Sequence, residues 1–89
     1  MNVSNEAKEK SIIEAINDGS IKITKEPNYG KILCEIGEYK TCLKPYNSDM
    51  KTEELIKKLK IEEIATMIRI SIESTDSPES DYCRNILKW

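Results

Sequence analysis

The sequence predicts an α+β fold: an N-terminal helix, a three-stranded antiparallel meander, then two or three C-terminal helices packed on one face of the sheet. Three observations carry that reading. Ile12, Ile13 and Ile16 recur at helical spacing. From Ile21 to Lys44 apolar residues tend to alternate, and two turn signals, PNYG at 27–30 and Gly37-Glu38, divide that stretch into three strands. Beyond Pro45 the apolar residues return to helical spacing.

The first helix is expected over Ser4 to Asp18. Ser4 or Asn5 can serve as N-cap, and Gly19 ends the helix because glycine enters the left-handed conformation at little cost. In the meander, let the first turn pair Glu26 with Lys31 and let Gly37-Glu38, a two-residue loop of type II′ form, pair Ile36 with Tyr39. Ile21, Ile23, Ile32, Cys34, Ile36, Tyr39, Thr41 and Leu43 then share one face. Lys22, Thr24, Leu33, Glu35, Lys40, Cys42 and Lys44 share the other. The first face is core and the second is wet. This register also sets Lys22, Glu35 and Lys40 side by side, and it points Cys34 inward and Cys42 outward, so these two cannot bridge each other.

The next helix is capped by Asn47, Ser48 or Asp49, begins near Met50 and buries Leu55, Ile56 and Leu59. At about 100° per residue, Ile61, Ile64, Ala65, Ile68 and Ile72 lie almost opposite that stripe. A break near Lys60, giving helices over 50–59 and 61–74, turns both stripes to one core. A continuous helix would leave one stripe for a symmetry mate. Residues 68–73 also alternate as a strand would, although the helical stripe from Ile61 to Ile72 is longer. In the last helix Ser77 is the N-cap, Pro78 takes the first position, and Tyr82, Cys83, Ile86 and Leu87 form the buried stripe.

Eighty-nine residues suggest a single domain over 1–89. No apolar run approaches the roughly 20 residues of a membrane span, and MNVSNEAKEK lacks the character of a signal peptide, so a cytoplasmic protein with no membrane partner is expected. Three cysteines without CxxC spacing, and no histidine, indicate neither a disulfide framework nor a zinc site; no cofactor or metal is expected. Asp76, Glu79 and Asp81 lack the spacing of a calcium loop. Cys34 and Cys83 read as small buried hydrophobes. Cys42, between Lys40 and Lys44, is the thiol placed to react, but no histidine could act as its base. With no phosphate-cradling loop either, an enzyme is not expected.

Two consecutive helices around Lys60 invite comparison with a helix-turn-helix. Leu55, Leu59 and Ile61 match that pattern, but Lys60 stands at the turn glycine and Glu62 at the capping serine. Residues 52–74 carry five acids against four bases, which argues against nucleic acid. Binding of an unidentified protein partner is the function expected. Lysine outnumbers arginine twelve to two and isoleucine occurs fourteen times, a bias associated with low-GC bacteria and phages, which suggests an accessory factor or inhibitor from a phage or mobile element. Tyr29, Tyr46 and Trp89 are the candidate partner anchors, each of which could instead pack on its own domain. A second hypothesis is capture of an anionic ligand such as a nucleotide by Lys22, Lys40 and Lys44, with Glu35 among them. If the helix runs through Lys60, Ile64, Ile68 and Ile72 would join a homodimer.

Overall fold

Ser4 opens the first helix as an N-cap residue should: its Oγ accepts the Ala7 N–H at 3.1 Å. The computed structural model describes residues 4–45 and 51–89. Helix α1 spans Asn5–Asp18 and ends at Gly19, whose φ of +89° is left-handed. Strands β1 (Ile21–Glu26), β2 (Lys31–Ile36) and β3 (Tyr39–Leu43) form an antiparallel sheet in the order β1-β2-β3. Glu26 pairs with Lys31 and Ile36 with Tyr39, the register expected from the two turns. Lys22, Glu35 and Lys40 are accordingly aligned across the three strands.

Gly37 has φ +59° while Glu38 stays at negative φ, the sign pattern of a type II′ turn. A side chain at Gly37 would also collide with the Tyr82 hydroxyl, whose oxygen accepts the Glu38 N–H at 3.1 Å. The turn therefore needs glycine both for its backbone and for the ring lying over it.

Three helices follow: α2 (Thr52–Lys58), α3 (Ile61–Glu73) and α4 (Pro78–Leu87). The expected caps Asn47, Ser48 and Asp49, and the expected start at Met50, lie outside the described residues; Lys51 occupies the N-cap position without a side-chain hydrogen bond. Leu59 and Lys60 are extended, with ψ of 132° and 160°, so the helix breaks where the two stripes change azimuth. Lys25 reaches across from β1 and donates its Nζ to the Leu59 carbonyl at 2.7 Å. That contact satisfies one of the acceptors that a helix end leaves open.

The break turns both stripes into one core, where Ile56 and Leu59 meet Ile64, Ala65, Ile68 and Ile72. Residues 68–73 are helical, and Ile70, two residues from both Ile68 and Ile72, is turned outward with 51% of its surface exposed. The assignment of Ile64, Ile68 and Ile72 to a subunit interface is therefore corrected. They are 4%, 2% and 4% exposed inside their own domain and present no surface to a mate. Helix α1 and the inner sheet face supply the opposite wall through Ile12, Ile21, Ile32, Cys34 and Ile36.

Helix α4 begins at Pro78 with Ser77 as N-cap, its Oγ accepting the Ser80 N–H at 3.2 Å. Cys83 and Leu87 are buried as expected and Ile86 is half-buried, but Tyr82 is 38% exposed and does not belong to the stripe. Ser80 is buried in its own helical row instead, and its hydroxyl is satisfied by Thr75 and Ser77.

Helices α1 and α3 are also joined by charge. Arg69 donates to Glu9 at 2.7 Å and to Glu73 at 3.0 Å, Lys8 donates to Glu73 at 2.6 Å, and Thr66 donates to Glu9 at 2.9 Å. The hydrogen bond from Arg69, helped by Thr66, holds the Glu9 carboxyl below its ordinary value, and the bond from Lys8 does the same for Glu73. Carboxyls lowered in the folded state contribute stability that is complete above the ordinary value of 4.5 and is lost as pH falls through the lowered values. The melting temperature should therefore fall between about pH 7 and about pH 3.5, and Arg69→Met should narrow that gap in thermal melts. Ile68→Ala should cost about 2–5 kcal/mol in denaturant titrations, and Ile68→Glu should unfold the chain, since the site is core.

Candidate interaction surface

The helices cover the inner face of the sheet and leave its outer face to solvent. Lys22, Thr24, Lys40, Cys42 and Lys44 are all exposed there. The proposed anion-binding lysines do not converge: Lys22 and Lys40 flank Glu35 in one row, while Lys44 lies four residues along β3, roughly 13 Å away. Continuing the β2–β3 register past Ile32 and Leu43 places Lys44 beside Lys31, which is already engaged with Glu26 at 3.7 Å.

The three candidate aromatic anchors have different fates. Tyr29 sits on a 3₁₀ turn, Pro27–Tyr29, that joins β1 to β2, and 76% of its surface is exposed. Pro27 opens the turn, and Gly30 closes it at φ +64° with its N–H donated to the Pro27 carbonyl at 3.1 Å. Lys31 places its ammonium 5.6 Å from the ring centroid. Gly30 also lies so near Thr52 of α2 that a Cβ would come within 3.1 Å of the Thr52 methyl carbon. The ring is thus held out by a turn braced from both sides.

Trp89 is not offered in this way. Its indole N–H donates to Ser11 Oγ at 2.9 Å, the Lys8 ammonium lies 5.3 Å from its ring centroid, and the side chain packs against the core. It packs on its own fold, the alternative the sequence left open, and ties the end of α4 to α1. Tyr46 lies outside the described residues.

Two large side chains that were not among the candidate site residues, Ile70 and Tyr82, are exposed near β3. Ile70 lines a shallow hollow of about 280 Å³ with Cys42, Leu43, Lys44, Met67 and Ser71. Tyr82 lines another of about 280 Å³ with Glu38, Tyr39, Pro78 and Glu79. Ile70 was legible once residues 61–73 were read as helix, since a residue midway between two buried ones at i±2 must face away.

The thiols divide as the register implies. Burial, with the neighbouring Cys83 and Glu35, pushes the Cys34 thiol up to about 12, and burial raises Cys83 as well. Both are protonated at neutral pH and shut away from reagents, whereas Cys42 is exposed. Asp76, Glu79 and Asp81 do not form a metal-holding group among the described residues, and Asp81 accepts from Arg84 at 2.9 Å. No helix is long and apolar enough to cross a membrane among the described residues.

Fold and surface together define a one-sided α+β module, with helices on one sheet face and an aromatic turn at one end. Comparison of the chain with protein-family models, with curated proteins and with solved structures gave no match. Thiol titration offers a direct check on the site description: Cys42 should react with a disulfide reagent in the folded protein, and Cys34 and Cys83 only after denaturation.

Proposed function

We propose that this chain is a small non-enzymatic binding protein that acts by protein–protein contact, with Tyr29 as an anchor. The observation that supports this reading is the 76% exposure of Tyr29 on a braced turn. Tyrosine is a frequent interface hot spot because it buries a large amphipathic surface while losing few rotamers. A turn already fixed by Pro27, Gly30 and Thr52 lowers the ordering cost of binding further.

Alternative partners find less support. Glu35 between Lys22 and Lys40 reduces the attraction of that row for a nucleotide. Duplex DNA would meet the exposed Glu62 and Glu63 at the start of α3, the helix that a helix-turn-helix would use for reading.

Affinity capture from a bacterial lysate tests the reading. The parent chain should retain a stoichiometric protein, and Tyr29→Ala should weaken that binding by at least about 30-fold, the loss of a hot spot of about 2 kcal/mol, with no change in melting temperature. Retention of a nucleotide or nucleic acid instead, or equal capture by the variant, would overturn it.

A further inference from the structure

β3 is an edge strand, and among the described residues nothing pairs with its outer side. The two-residue loop at Gly37-Glu38 closes on a hydrogen-bonded pair, Ile36 and Tyr39. Tyr39, Thr41 and Leu43 therefore direct their backbone groups to β2, while Lys40 and Cys42 direct theirs outward. Such an edge is a template for another strand unless charge or shape blocks it. Lys40 and Lys44 are the kind of residues that block edges, and here they discriminate among registers.

Consider a second copy of the chain pairing antiparallel through its own β3 about a two-fold axis. An axis at Lys40 sets that lysine against itself, and one at Cys42 sets Lys40 against Lys44 twice; both arrangements are repelled. An axis at Tyr39 or Leu43 leaves about half of each strand unpaired. The axis at Thr41, the midpoint of β3, gives full overlap. It places Glu38 opposite Lys44, Lys40 opposite Cys42, Tyr39 opposite Leu43, and Thr41 opposite its own copy. Glu38 and Lys44 are each three residues from the axis, have opposite charge, and form no ion pair among the described residues.

The ends of the strand match in apolar character as well. The Lys44 end carries the hollow with Met67 and Ile70, and the Glu38 end carries the hollow with Pro78 and Tyr82. Antiparallel pairing brings the first end of one copy to the second end of the other. Ile70 and Tyr82, 51% and 38% exposed, then lie on facing sides of the junction.

We propose that β3 pairs antiparallel with β3 of a second copy about a two-fold axis at Thr41, joining two three-stranded sheets into one of six strands, with Glu38 and Lys44 as reciprocal ion pairs. The interface is self-complementary, as a two-fold contact must be. It uses none of the residues that brace Tyr29, and so does not depend on the function proposed above.

Sedimentation equilibrium of the full chain from about 1 µM to about 1 mM, with circular dichroism to confirm folding, tests the proposal. The mass should rise to twice the 10.2 kDa of the chain. Glu38→Lys and Lys44→Glu should each weaken dimerisation by about tenfold or more, and the double variant should restore it, because the reversed pair attracts again. In a Cys42→Ser background, Thr41→Cys should cross-link on mild oxidation, since that non-hydrogen-bonded pair lies at about 4.5 Å between Cα atoms. A monomer at every concentration, including one that binds an extended peptide along β3, would overturn the proposal. So would a dimer indifferent to both charge reversals, or cross-linking through Cys42 but not through Thr41→Cys.

Discussion

The extended pair Leu59–Lys60 is the constraint on which the architecture rests. Helices α1 to α4 must cover a single sheet face, and the apolar residues on either side of this pair point in nearly opposite directions along any straight helix. Two residues of extended backbone reorient α3 so that Ile56 and Leu59 share a core with Ile64, Ala65, Ile68 and Ile72. Each aliphatic side chain so buried contributes roughly 1.5–3 kcal/mol, far more than the helical hydrogen bonds forgone at the junction. Lys25 then caps the Leu59 carbonyl left open by the break, using a β1 residue to secure a joint distant in sequence.

One-sided packing determines what is left for partners. The outer face keeps a row in which the single acid Glu35 stands between Lys22 and Lys40, and the features on which the proposed recognition rests lie at the margins: the Tyr29 turn at one end and the β3 edge at the side. Tyr82 illustrates how a margin is built. Its hydroxyl receives the Glu38 N–H and its ring occupies the space that a side chain at Gly37 would need, so the hairpin tip and α4 form one surface.

Much of the fold was legible because local signals agreed independently. Two turns specified one register, and with it the burial of Cys34 and the exposure of Cys42. Ser4 and Ser77 declared their helices by cap chemistry, and the opposed stripes located the break. The cross-chain contacts were not legible. Glu9 finds Arg69 sixty residues away and Lys8 finds Glu73 sixty-five residues away, separations over which neither periodicity nor charge pattern specifies a partner. The fates of the candidate site residues followed from the same divide. Tyr29 was readable from its own turn, whereas Trp89 depended on Ser11 and Lys8, and the reach of Ile64, Ile68 and Ile72 depended on how the chain turned at Lys60.

The Trp89 clasp also gives the molecule a built-in optical label. Trp89 is the chain's single tryptophan, and its indole lies against Ser11 and Lys8 of α1 while its backbone N–H is held by the Arg84 carbonyl of α4. Fluorescence excited at the red edge of the protein spectrum therefore arises at one contact between two helices. Loosening of that contact would register even while the sheet stayed intact, so the emission reports the docking of α4 on α1, not the state of the fold as a whole.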